Sequence, residues 1–227
     1  MKYLIVVLLG LTIGSAAAGA LLYYNPFSMT AAGVPNPTDR VLHYSLPDDV
    51  LAFSFGNDAR FFGRDPGDDG LWEETIDRTA VLGLVLNDAD NQPAAVASRL
   101  TAVSPDSNLL LRGVLVSDYW LVTLPGQGTL FVRADSNAWR FLKEALVPVW
   151  FLDRPWNGPS EYWPTVGPGT DDNGVVVGLS GDFRGSEGSV VERYEVTALD
   201  PTRDSALAEG ELRLNLDLSG PQVAVKP

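Results

Sequence analysis

Between Thr79 and Ala134 the chain repeats one arrangement that leaves few folds open: runs rich in apolar and β-branched residues, separated by links too short for anything but a reversal. The runs are Thr79 to Leu86, Ala95 to Val103, Leu109 to Val116, Tyr119 to Leu124 and Thr129 to Ala134. The separators are turn formers: Asn87 to Asn91, Ser104-Pro105-Asp106, Ser117-Asp118 and Pro125-Gly126-Gln127-Gly128. A parallel crossover needs about a dozen residues, so these strands pair with their sequence neighbours as an antiparallel meander.

The same pattern frames the meander. Val50 to Phe55 alternates as a first strand, followed by a Gly/Asp-rich loop over residues 56–70 and a short helical turn at Leu71 to Ile76. Gly174 to Phe183 and Ser189 to Ala198 form a hairpin around the turn Arg184 to Gly188. The last strand, Glu211 to Leu218, places Leu212, Leu214, Leu216 and Leu218 on one face and Glu211, Arg213, Asn215 and Asp217 on the other. The period changes only at Ala138 to Leu146, a helix capped by Asp135 or Ser136, with Trp139, Leu142, Ala145 and Leu146 on one stripe and Pro148 at its end. The expected fold is mainly β (α+β): one antiparallel, strongly curved sheet or partly closed barrel with a single packed helix.

Ahead of this domain lies Tyr3 to Tyr24, YLIVVLLGLTIGSAAAGALLYY, without a charged residue. As a helix it is about 33 Å long, enough for a hydrocarbon core of roughly 30 Å. A cleaved secretory signal is the alternative, with Lys2 as its basic start and Ala16 to Ala20 as its small-residue cleavage region. Leu21, Leu22, Tyr23 and Tyr24 carry the apolar run past that region to an aromatic pair suited to the interface, which favours an uncleaved anchor. Lys2 before the segment and no charge after it until Asp39 keep the N-terminus cytoplasmic. The expected organisation is residues 1–24 as membrane anchor, 25–40 as a Pro-rich tether and 41–227 as the β-rich extracytoplasmic domain. The expected location is single-pass in an inner membrane with the domain periplasmic. Gly10, Gly14 and Ala18 recur every fourth residue, a face on which a second helix can pack closely.

Composition narrows the chemistry. There is no cysteine, which removes disulfides, thiolate metal sites and cysteine nucleophiles. The net charge of −13 argues against nucleic acid or anionic headgroups as partners. His43 is the one histidine, so neither a Ser-His-Asp triad nor a usual zinc site is supported, and no metal or cofactor is expected. Asp65, Asp69 and Gly70 fit part of a helix-loop-helix calcium register, but Gly67 and Ile76 stand where ligands are needed. Ser28-Met29 after an apolar helix resembles the nucleophile segment of the membrane-bound signal peptidases, and Gly181-Asp182-Phe183-Arg184 resembles their later Gly-Asp box. The resemblance fails at its chemical centre, because Thr30-Ala31 replace the proline and Lys143 lies in a predicted helix rather than on a following strand.

One stretch stands out as a binding candidate: Val147 to Pro164, VPVWFLDRPWNGPSEYWP, with Trp150, Phe151, Trp156, Tyr162 and Trp163 among four prolines. Rings on a stiff loop offer flat apolar area at low entropic cost, for a sugar or a protein partner, or they fold back to close one end of the sheet. Glu161 and Asp153 beside them are the carboxylates available to a glycan hydrolase. With no catalytic constellation in the sequence, the leading expectation is a non-enzymatic interaction module of the bacterial envelope with a protein partner. A carbohydrate- or lipid-binding β-domain is the alternative, and a carboxylate-dependent hydrolase comes third.

Overall fold

Alternating strands with one apolar face bury that face most fully when the sheet closes on itself, and this chain does so. The computed structural model describes residues 2–24, 40–46, 79–152, 155–200 and 205–217. Its strands are β1 (Arg40–Ser45), β2 (Thr79–Asn87), β3 (Pro93–Val103), β4 (Leu115–Leu124), β5 (Gly128–Asn137), β6 (Trp156–Tyr162), β7 (Thr165–Gly167), β8 (Gly174–Gly178), β9 (Glu187–Asp200) and β10 (Ser205–Asp217). All pairings are antiparallel. The order β10-β1-β2-β3-β4-β5-β8-β9 returns to β10 through a β9–β10 ladder, which makes a closed eight-stranded barrel. Strand β6 adds to β9 beside β8, and β7 adds to β5.

Side-chain alternation decides what enters the barrel. Leu42, Leu86, Val122, Leu130, Val132, Val176 and Leu214 are buried to 1% exposure or less and fill the interior with Trp120. An eight-stranded barrel has room for little more than such side chains. The expected alternation of the last strand holds at Leu212, Leu214 and Leu216, all buried, while Leu218 lies outside the described residues, as do the strand expected at Val50 to Phe55 and the turn at Leu71 to Ile76.

Helix α2 crosses from β5 to β6. It begins with an α-helical turn Trp139–Phe141, widens to a π-helical segment Leu142–Leu146 and continues α-helical over Val147–Leu152. The expected stop at Pro148 does not occur. A proline clashes with the carbonyl four residues before it, and the wider π-helical turns around that carbonyl give the ring room. Asn137, rather than Asp135 or Ser136, supplies the first side-chain acceptor, taking the Trp139 N–H at 3.0 Å. Leu142, Ala145, Leu146 and Val149 join the barrel core.

Three further expectations change. The run read as a strand from Leu109 starts only at Leu115. Asn108 folds the leucines into a turn by accepting the Leu110 and Leu111 N–H groups on its side chain, and Gly113 closes the turn with φ +84°. The Ser117-Asp118 turn is instead the middle of β4, with Asp118 pointing inward. The hairpin strand ends at Gly178, and Gly181–Phe183 is a single 3-10 turn.

Helix α1 (Lys2–Tyr23) spans the apolar N-terminal segment and exposes Leu8, Leu11 and Ile13. Among the described residues no helix is long and apolar enough to cross a membrane. The membrane span expected over Tyr3 to Tyr24 is carried by the sequence alone.

Candidate functional site

Polar chemistry gathers in two places, one inside the barrel and one on its wall. Inside, consecutive inward positions of β3 and β4 carry Arg99, Thr101 and Asp118 where apolar residues would be usual. Arg99 meets Asp118 Oδ1 through Nε at 2.9 Å and through a terminal nitrogen at 2.9 Å. Its other terminal nitrogen lies 3.3 Å from Glu192 Oε1 on β9. The Thr101 hydroxyl donates to the same Asp118 oxygen at 2.6 Å, and the Tyr44 hydroxyl of β1 donates to Glu192 Oε1. The Arg99 guanidinium also sits 4.9 Å over the Trp120 ring, and Trp120 packs on Tyr44 at 5.3 Å. Gly210 makes this layer possible: a Cβ there would run into the Tyr44 ring.

Electrostatics follow from burial. Removal from water pushes the Glu192 carboxyl above the ordinary glutamate range, with Arg99 pulling it back and Asp118 adding to the rise. Burial opposes the Arg99 charge, but Asp118 and Glu192 outweigh it and hold the guanidinium well above its usual value. Burial raises the Tyr44 phenol far up, and Glu192 adds to that, so Tyr44 stays a donor. One atom of the layer is left over: Asp118 is 0% exposed and its Oδ2 has no hydrogen-bond partner among the described residues. Arg99 keeps 14% of its side-chain surface in contact with solvent, while Tyr44, Trp120, Asp118 and Glu192 are each exposed to 3% or less.

On the outside, β6, β9, β10 and β1 form a charged wall. Arg193 binds Glu161 at 2.8 Å and Glu195 at 2.9 Å and approaches Glu211 at 3.7 Å. Arg213 pairs with Glu211 and lies 4.8 Å over the Trp163 ring, whose indole N–H donates to Glu161 at 2.6 Å. The hydrogen bonds from Arg193 and Trp163 hold the Glu161 carboxyl below its ordinary range. Next to this lattice runs a groove of about 370 Å³, lined by His43, Asp88, Asn91, Glu195, Glu209 and Glu211.

The structure distributes the aromatic candidates rather than gathering them. Trp156 and Tyr162 belong to β6, which the sequence presents as loop. Tyr162 is buried against Phe141, and Trp156 packs against the core. Trp163 is half-buried at the charged wall. Trp150 and Phe151 lie on the backbone of α2, their side chains outside the described residues, as is Asp153. Gly10 and Gly14 face open space on α1. No group of three or more His, Asp or Glu among the described residues is placed to hold a metal ion. The ionic layer went unread in the sequence: Arg99 and Asp118 lie on separate strands, and only their register brings them together. The available signal was a lone arginine at an inward position of an otherwise apolar strand.

Compared with known protein families the chain matches none, and it matches no curated protein. Among solved structures it is similar to a nonspecific heme-binding cyclase that catalyzes [4 + 2] cycloaddition during neoabyssomicin biosynthesis, with a TM-score of 0.39 and 11% identity. The alignment covers 81% of this chain and 64% of that one, so the chain spans less than two thirds of that protein's length. At such a score and identity the likeness bears on neither ligand nor chemistry.

Proposed function

We propose that this chain is a membrane-anchored binding module of the bacterial envelope, non-enzymatic, with its barrel on the periplasmic side. The charged wall is its recognition surface. The observation that carries the reading is the division of labour between interior and exterior. Inside, Arg99 is committed to Asp118 and Glu192, and Tyr44 and Thr101 are committed to the same two acids. Outside, Arg193, Glu195, Glu209 and Glu211 line an open groove, and Glu161, Arg213 and Trp163 join them through ion pairs and a ring contact. On a chain of net charge −13, such a wall suits a lysine- or arginine-bearing segment of a protein partner, steered in by long-range attraction.

The test is capture from detergent-solubilised membranes with the full-length chain as bait, beside Glu209→Lys, which reverses a charge in the groove, and Trp163→Ala. A partner retained by the wild type and lost from both variants, at unchanged circular dichroism, is the expected result. Hydrolysis of peptidoglycan or of a generic ester by the purified protein overturns the reading.

Asp118 Oδ2, without a partner among the described residues, favours a second reading, a barrel that takes a small molecule whose hydrogen-bond donor reaches this oxygen. Trp120 reports on it, because its ring lies against Arg99. Saturable change of tryptophan fluorescence with a glycan or fatty acid, absent in Asp118→Asn, is its signature, and flat titrations count against it.

A further inference from the structure

The groove on the charged wall holds the chain's one histidine. In the strand register His43 of β1 stands opposite Glu211 of β10 on one side and Asn87 of β2 on the other. Its Nδ1 lies 4.0 Å from Glu211 Oε2, and 44% of its side chain is exposed, so it exchanges protons with bulk water without any opening of the barrel. Charge reaches this place from each neighbouring element. Asp88 comes from the turn after β2, Arg193 and Glu195 from β9, and Glu209 and Glu211 from β10. Arg213, outside the lining, pairs with Glu211 from two residues along β10, and Arg193 lies 3.7 Å from the same carboxylate. Four acids against Arg193 leave the lining an excess of three negative charges while His43 is neutral.

We infer that His43 makes the groove a pH-gated cation site, open to a lysine- or arginine-bearing segment while the imidazole is neutral and partly closed to it once the imidazole is protonated. The inference rests on the recognition role proposed for this wall and adds its regulation. Imidazole is the side chain that changes charge between about pH 5 and 8, a range in which lysine and arginine keep theirs. Protonated His43 acts twice. It adds a positive charge inside the groove, and it becomes a third cation on Glu211, which Arg193 and Arg213 already share. One charge about 6 Å from a bound cation, at an effective dielectric between roughly 40 and 80, weakens binding about three- to tenfold. No second imidazole contributes, since the chain has only His43.

The test is calorimetric titration of the full-length chain, in an uncharged detergent and at one fixed low ionic strength, with a pentalysine peptide at about pH 8 and about pH 5.5. Wild type is compared with His43→Gln, which loses the imidazole and keeps every carboxylate, and with His43→Lys, which holds the positive charge at both pH values. Wild type is expected to bind about three- to tenfold more weakly at the lower pH, and His43→Gln to change by less than about twofold. His43→Lys at the higher pH should bind as weakly as wild type does at the lower one. A pH effect of equal size in wild type and His43→Gln overturns the inference and leaves the recognition reading standing. Absence of peptide binding by wild type at both pH values overturns the two together.

Discussion

Arg99 is the residue on which the barrel interior turns. It is a permanent cation in a lumen otherwise packed with valine, leucine and tryptophan, and it is tolerated because two carboxylates and an aromatic face surround it. Arg99→Leu strands Asp118 and Glu192 without a counter-charge and should cost about 3–5 kcal/mol. Urea denaturation at neutral pH checks this, and a loss below about 1 kcal/mol would mean that the ionic layer is incidental. Glu192 gives a separate handle through pH. Its folded-state pKa is raised, so its contribution to stability is fully present below the ordinary glutamate value and is lost as pH rises through the folded one. Glu192→Gln removes that titration while keeping an acceptor for Tyr44. The variant should therefore gain on the wild type as pH climbs from the ordinary glutamate value to the folded one, then run parallel to it. A difference that is constant across this window contradicts the burial assigned to Glu192.

At the scale of elements, what was legible in the sequence depended on whether neighbours or distant strands decide a residue's place. Strands β2, β3, β5, β9 and β10 follow local alternation, and Leu212, Leu214 and Leu216 point where their period demands. Asp118 does not follow locally. A Ser-Asp pair between β-formers has the composition of a turn, and only Arg99, 19 residues earlier, makes an inward aspartate tenable. Strand β6 was hidden for a different reason, its prolines. Among the described residues it pairs only with β9, and its register shifts between Asn157 and Ser160, so Pro159 sits in a bulge where its missing N–H breaks no ladder. The continuation of α2 through Pro148 rests likewise on packing, since Leu142, Ala145, Leu146 and Val149 hold it to the core. Leu146→Ala should cost about 2–5 kcal/mol, as other buried leucine truncations do. A thermal midpoint unchanged from the wild type would show that α2 does not stabilise the barrel.

At the scale of the molecule an ionic and apolar filling stands apart from a charged outer wall. The proposed function assigns recognition to the outside and gives the filling a supporting part. Asp118→Asn separates the two most sharply. It keeps the oxygen that accepts from Arg99 and Thr101 and changes the unpartnered one to an amide nitrogen, leaving the outer walls untouched. The decisive measurement is the affinity of the full-length chain for its captured partner, compared among wild type, Asp118→Asn and Glu209→Lys. Recognition of a cationic segment by the charged wall predicts that Asp118→Asn binds within about twofold of wild type while Glu209→Lys loses at least about tenfold, some 1.4 kcal/mol. Strong loss in Asp118→Asn with full binding in Glu209→Lys would place recognition inside the barrel and contradict the reading.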